Sequence, residues 1–311
     1  MSTFIGLDLG TSGIKAVLIG IDQSVLAVAE APLTVARPHP GWSEQEPEDW
    51  ITAAEVVLAG LAEQHDLGDV RGIGLSGQMH GATLLGRHGR ALRPCILWND
   101  TRSHEEAAAM DADPAFRAVS GNIVFPGFTA PKLAWICRNE PELFDQIDCV
   151  LLPKDYLRLW LTGEKVAEMS DAAGTSWLDT GRRDWSDDLL ERTHLSRDHM
   201  PSLVEGSAIS GTLRRELSDR YGMPPDVVVA GGGGDNAASA CGVGAVRPGS
   251  GFVSLGTSGV LFVTNDKFSP NVDNAVHAFC HAVPNTWHQM GVILSATDSL
   301  NWLASRLKAA P

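Results

Sequence analysis

The sequence predicts an α/β fold made of two similar sheets, with one lobe over residues 1–245 and the start of a second over 246–311. Three observations carry this expectation. Residues 4–75 run as three short strands, a helix and a fourth strand. The letters LGTSG occur at 9–13 and again at 255–259, each time between strand-like runs, which implies two copies of one supersecondary unit. Between them, DVVVAGGGGDNAASACGVGAV reads as a buried strand, a glycine-rich turn and a small-residue helix beginning at Asp235.

The elements follow in chain order. FIGLDL, IKAVLIG and VLAVAEA are short, apolar and separated by Gly and polar turn residues, the pattern of an antiparallel meander. In EPEDWITAAEVVLAGLAEQ, acidic residues open the segment and apolar ones recur at helical spacing, which predicts a helix. VRGIGL then reads as a buried strand ending at the polar cluster Ser76, Gln78, Met79 and His80. The stretch from about 100 to 225 reads as mainly helical or irregular, with breaks at PGFTAPK, LLPKDYL and TGRRDW. GFVSLGTSGVLFVT opens the second sheet, AVHAFCHAV alternates like a strand with His277 and His281 on one face, and LSATDSLNWLASRLKAA reads as a helix.

Bulk properties narrow the class. With 44% hydrophobic and 20% charged residues, the chain has the apolar material to offset the entropy of ordering itself. Its formal charge of −14, spread along the chain, opposes phosphate backbones and anionic membranes, so neither nucleic acid nor lipid is an expected partner. The five cysteines have no zinc or redox spacing and fit a reducing compartment. The opening MSTFIGLDLG lacks an export signal and no run of about 18 apolar residues occurs, so a cytoplasmic protein is expected.

The turns carry the candidate chemistry. Gly10, Thr11, Ser12 and Gly13 bring backbone N–H groups and two hydroxyls together, and their glycines relieve crowding and permit positive φ, as a phosphate turn requires. A single GTSG is more simply a hairpin turn; its recurrence as Gly256, Thr257, Ser258 and Gly259, with Asp8 just before the first copy, favours phosphate. Asp8 is a hard oxygen ligand suited to Mg²⁺ bridging nucleotide phosphates. Lys15 reads equally as a phosphate neutraliser or a solvated strand residue.

Asp235 reads either as a helix cap or as a general base that takes a hydroxyl proton and aims the oxygen at a γ-phosphate. Gly231 to Gly234 favour the second, because four glycines in a row imply a tight turn or the close approach of a ligand. SGQMHGA sets an amide, a thioether and an imidazole together after a strand, a mixture suited to sugar hydroxyls, although Met79 and His80 taken singly read as core residues. LWNDTR supplies Trp98, Asn99, Asp100 and Arg102, which line the same pocket or cap the next helix. His277, Cys280 and His281 lack the further ligands a metal site needs.

In this order, GLDLGTSGIKAVL, RPHPGWSEQEPEDW, GLSGQMHGATLL, RPCILWNDTR, PGFTAPKLAW, LLPKDYLRLWLTGE, SDAAGTSWLD, AGGGGDNAASACGVG and SLGTSGVLF resemble the FGGY carbohydrate kinases, and GQMHGA, PGFTAPKL and SDAAGTSWLD resemble the xylulose-phosphorylating branch. The resemblance covers nearly the whole chain. It implies a ribonuclease-H-like fold, of the actin and hexokinase type, duplicated into two lobes with sugar between them and ATP held chiefly by the second. It implies Asp235 as the base, Asp8 and Gly10 to Gly13 as the first phosphate loop, sugar contacts at Met79 and His80, and Asp235 and Asn236 closing the site. The implied reaction converts ATP and D-xylulose to ADP and D-xylulose 5-phosphate; ribulose, gluconate and glycerol are alternative acceptors, and a homodimer is compatible with the reading. The adenine-receiving segment of the family has no counterpart before Pro311, which implies a fragment or a shortened form. As it stands, such a chain is expected to bind sugar and transfer phosphate poorly, and a non-catalytic sugar-binding module is the reading from another class.

Overall fold

The computed structural model describes residues 2–255, 259–293 and 295–307. The N-terminal apolar alternation becomes β1 (Thr3–Leu9), which buries Ile5, Leu7 and Leu9 on one face. β2 (Gly13–Gly20) and β3 (Val25–Pro32) continue antiparallel, so the expected meander is present. A helix, α1 (Pro47–Gln64), then crosses back over the sheet. Pro47 stands in its first turn, Glu48 and Asp49 face the positive end of its dipole, and Trp50, Ala54, Val57, Leu58 and Leu61 are buried beneath it. Each of the large side chains contributes about 1.5–3 kcal/mol by leaving water. The strand Val70–Gly77 returns parallel to β1, which a crossover helix makes possible.

Among the described residues this sheet has seven strands. From one edge it runs Ile209–Thr212, Val228–Ala230, Val70–Gly77, β1, β2 and β3, with the two-residue strand Gly233–Gly234 also pairing with Val70–Gly77. The helix Asp235–Gly242 begins directly after it. The strand, glycine turn and helix therefore lie as the sequence implied, and β1 ends beside them.

The middle of the chain departs from the expectation of helix and irregular structure. It adds an edge strand, Ile209–Thr212, to the main sheet and contains the small pairs Thr83–Leu85 with Cys149–Leu151 and Val166–Glu168 with Ser202–Val204. Each is only three or four residues long, too short for its period to emerge from the sequence. Two of the supposed breaks are helix starts. Pro131 lies in the first turn of Thr129–Asn139, and Pro153 opens Pro153–Thr162, positions where a missing N–H costs nothing.

The second LGTSG also joins two antiparallel strands, Gly251–Leu255 and Gly259–Asn265; the second of these pairs with Trp287–Ile293, which pairs with His277–Cys280. Gly256, Thr257 and Ser258 lie outside the described residues. Phe262, Phe279, Cys280 and Met290 of this sheet pack into one core with Met79, Phe128 and Trp177. The helix Thr297–Leu307 follows. Among the described residues, no helix is long and apolar enough to cross a membrane.

Candidate active site

Register alone brings the principal candidates together. Glu30, Lys15, Asp8, Ser76 and Gly233 form one row across neighbouring strands, and Leu9, Gly77 and Gly234 form the next, immediately before Asp235. Residues of one row project to one face. Asp8, Lys15, Ser76, Gly233 and Cys241 line an open cavity of about 880 Å³ on that face. Lys15 is well exposed there, with its ammonium 3.1 Å from Glu30, so its charge is shared with a carboxylate.

The glycine run is demanded by protein contacts. Gly232 has φ +76°, and a Cβ on it would stand 2.1 Å from the Leu75 carbonyl oxygen; a Cβ on Gly231 would stand 2.3 Å from that of Glu205. Gly234 packs on Met79 so tightly that a Cβ would lie 2.9 Å from its Cγ. The first GTSG turn corrects the expectation of positive φ, because neither Gly10 nor Gly13 is left-handed. Gly13 is required by closeness instead: a Cβ there would meet the Ala31 carbonyl at 2.6 Å.

Asp235 opens its helix with its side chain exposed to solvent, and neighbouring protein crowds the carboxylate. Its Oδ1 accepts hydrogen bonds from the Asn236 backbone N–H at 2.6 Å and from Asn236 Nδ2 at 2.8 Å, which aim the carboxylate and occupy the Asn236 amide. Enclosure by protein, followed by the negative charge of Asp8, pushes its pKa up to about 6 against the favourable Asn236 bonds.

The sugar-side candidates divide. Met79 is buried against Gly234, and His80 stacks on Phe128 at 4.7 Å and bonds through Nδ1 to the Gly174 carbonyl at 2.7 Å. Burial pushes the His80 pKa down to about 3, so the ring is neutral. Trp98 is partly exposed and donates its indole N–H to Thr11 Oγ1 at 3.0 Å. Thr11 in turn donates to Gln78 Oε1 at 2.9 Å, and Gln78 donates to Gln45 Oε1 at 3.1 Å.

Three expectations are corrected by these bonds. The Thr11 hydroxyl is committed to Gln78 and Trp98, Gln78 is a buried link whose amide is held at both ends, and the Gly10 N–H is taken by the Gly13 carbonyl at 3.0 Å. Asp100 neither lines the pocket nor caps the next helix. It is buried, accepting from the Ser43 N–H at 2.6 Å and from Arg102 through its N–H at 2.9 Å, Nε at 3.0 Å and NH2 at 2.7 Å. Its role is to neutralise a buried guanidinium.

Beneath the turns lies a feature that sequence reasoning missed. Lys154, Asp155, Arg158, Glu168 and Asp171 are fully buried together, with Lys154 Nζ 2.7 Å from Asp155 and 3.2 Å from Asp171. Arg158 donates to the carbonyls of Ala230 at 2.7 Å and Gly231 at 2.5 Å. Ser170, bonded to Glu168 at 2.8 Å, accepts the Gly234 N–H at 3.0 Å. Both ends of the glycine run are thus tied to one ionic lattice. Burial, with Asp155 and Glu168 close by, raises the Asp171 pKa well above the carboxylate range despite Lys154. PKDYLR and SDAAGTSW are visible as strings, but nothing in their spacing places them under the turn.

A family model described as the N-terminal domain of the FGGY family of carbohydrate kinases matches residues 3–242. The chain belongs to the FGGY family of carbohydrate kinases. This FGGY chain is 54% identical to a xylulose kinase of Escherichia coli strain K12 over 97% of its length and 62% of the relative's, and 53% identical to one of Klebsiella pneumoniae over the same shares. The crystal structure of a xyloylose kinase from Brucella ovis is similar at TM-score 0.98 and 60% identity, with 99% of this chain and 64% of that one covered. A gluconate kinase structure from Lactobacillus acidophilus, at 23% identity and TM-score 0.94, shares the fold. The FGGY chain thus spans less than two thirds of the length of these relatives, and the fold is the actin and hexokinase type expected.

Proposed function

We propose that this chain carries the sugar-binding and base-bearing part of an ATP-dependent kinase that converts D-xylulose to D-xylulose 5-phosphate in the cytoplasm. Residues 1–245 form the sugar lobe and 246–311 begin the nucleotide lobe. The observation that carries the reading is Asp235, a carboxylate whose pKa is raised by crowding and by the charge of Asp8, directly after Gly234, which packs on Met79. In the reaction Asp235 takes the proton of the acceptor hydroxyl, and the resulting oxygen attacks the γ-phosphorus of ATP as the bond to the β-phosphate oxygen breaks and ADP departs. Asn236 holds the carboxylate in one orientation while Met79 and His80 bound the sugar.

Among the described residues no group of three or more His, Cys, Asp or Glu could hold a metal by itself. That fits an ion carried in by nucleotide, since Mg²⁺ is commonly held by one or two carboxylates plus phosphates and water. Asp8 is the residue that would contact it, and the ion would supply neutralisation of phosphate charge. The Gly10 to Gly13 turn is the expected phosphate cradle, to which Gly256, Thr257 and Ser258 are expected to contribute, and Lys15 stands at its edge.

D-xylulose is favoured over other acceptors by the more than 50% identity to xylulose kinases, against 23% to the gluconate kinase. The test is ADP release with the chain, and with any longer polypeptide that contains it, over D-xylulose, ribulose, gluconate and glycerol. D-xylulose is expected to give the highest kcat/KM; a higher value on any other acceptor overturns the assignment. D-xylulose binding without transfer by the 311-residue chain would identify it as a sugar-binding module.

A further inference from the structure

His80 is a residue with a Cβ held at φ +69°. The left-handed region is costly for such residues and persists at functional sites only where neighbours over-determine it. Here the restraint comes from one six-residue segment, Gly127–Lys132, at the start of the helix Thr129–Asn139. Lys132 Nζ donates to the His80 carbonyl at 2.8 Å and to the Gly127 carbonyl at 2.7 Å; Thr129 Oγ1 donates to the same His80 carbonyl at 3.2 Å; Phe128 stacks on the imidazole.

Lys132 is fully buried, and both of these hydrogen bonds go to backbone carbonyls. Burying an ammonium among neutral partners is expensive, which burial expresses as a pKa lowered to about 7. An apolar side chain of the same length would fill the space at lower cost, so packing alone does not account for this lysine.

The ring chemistry gives the clamp a purpose. The bond from Nδ1 to the Gly174 carbonyl requires Nδ1 to carry the proton, which leaves Nε2 of the neutral ring as an acceptor. A sugar hydroxyl donates to such an atom.

We propose that Lys132 is a positioning residue which, with Thr129 and Phe128, locks the His80 backbone so that Nε2 is presented to a hydroxyl of the bound sugar. This rests on the reading of Met79 and His80 as the sugar face. It gives the PGFTAPK string a role in recognition exerted through another residue.

The test uses the 311-residue chain with two readouts. Calorimetric titration with D-xylulose is made on the parent chain, His80→Ala, Lys132→Met and the double variant. Each single change is expected to weaken binding about tenfold, the scale of one hydrogen bond to a charged or buried group, and the double no more than either single. Binding by Lys132→Met within about twofold of the parent, or a double variant that multiplies the two losses, overturns the proposal. The second readout is sugar-free: exchange of the His80 ring C2 hydrogen, followed by mass spectrometry. Lys132→Met should accelerate it at His80 and leave His288 unchanged; unchanged exchange at His80 overturns the proposal whatever the sugar. Failure of the parent chain to bind D-xylulose would sink the sugar reading, while the exchange rate at His80 would still decide whether Lys132 holds the ring. If Lys132→Met does not fold, Thr129→Val, which removes a bond to the same carbonyl, is judged by the same two criteria.

Discussion

The two LGTSG hairpins share their letters and their strand–turn–strand pairing, yet sit in opposite surroundings. In the first, Ile5, Leu7 and Leu9 are at most 1% exposed, because β1 has a strand on either side and a helix-covered core. In the second, Val253 and Leu255 are 63% and 71% exposed on a strand that has one neighbour among the described residues. Leu261, Ile293 and Trp302 extend this apolar exposure over the sheet and the helix Thr297–Leu307, while Phe262, Phe279 and Met290 pack into the lobe core. Local sequence is therefore sufficient to make the hairpin, and the neighbours decide how much stability its side chains contribute.

The comparison can be broken most severely through the buried lattice of the first lobe. Lys154→Ala leaves Glu168 and Asp171 without a cation and Asp155 with Arg158 alone, and urea unfolding should record a loss of about 3–5 kcal/mol. Leu7→Ala should cost about 2–5 kcal/mol in the same assay, as core truncations do. A cost under about 1 kcal/mol for either, on the scale of ordinary surface substitutions, would show that the first lobe is loosely packed at that position.

Acid sharpens the contrast at intermediate size. Burial lowers the pKa of His80 to about 3 and of His277 to about 4, and holds His288 well below the ordinary value between the rings of Phe262 and Phe279. The unfolded chain binds protons at these histidines near pH 6.5 while the folded one does not, so their stability is full above that pH and falls as pH drops from about 6.5 towards 3. His288→Phe should reduce that fall; an unchanged acid profile by thermal melting would remove His288 from the account. Asp235 has the opposite sign. Its raised pKa adds stability below about pH 4 that disappears as pH rises through about 6, so Asp235→Asn should melt higher than the parent at about pH 8, and a lower melting temperature would contradict the raised pKa. If the proposed function holds, the same substitution should abolish ADP release with D-xylulose in any polypeptide carrying this chain that shows it, while sparing sugar binding.

The smallest effect belongs to the second hairpin. Leu255→Ala should shift stability by no more than about 0.5 kcal/mol, as for an exposed position. A loss approaching that of Leu7→Ala would erase the difference between the two hairpins.

Much of the framework is legible in the chain itself. Alternation in FIGLDL, helical spacing after Glu46 and the glycine run before Asp235 each carry a local period or a local steric demand, and all three elements lie as expected. The edge strand Ile209–Thr212 and the three-residue pairs are not legible, since a stretch that short has no period to read. Among the site candidates, Asp8, Met79, His80, Asp235 and Asn236 come together at one sheet end. Asp100 and Gln78 stand out in the sequence for polarity alone, and both prove to be buried links, because residue type does not reveal which polar groups find partners inside.

What the sequence determined by itself was the order of strand, turn and helix, the duplication of one turn, and the carboxylates at the ends of strands. These depend on backbone sterics and on periods within one segment. Only the tertiary structure decided that Thr11 is tied to Trp98 and Gln78, that Arg158 and Ser170 grip the glycine run, and that Lys132 holds the carbonyl of His80. Each of those contacts joins segments far apart in the chain, and each offsets the cost of taking polar groups out of water by giving them a partner there. For the same reason, the letters LGTSG recur between paired strands, while the packing around those strands decides whether they are core or surface.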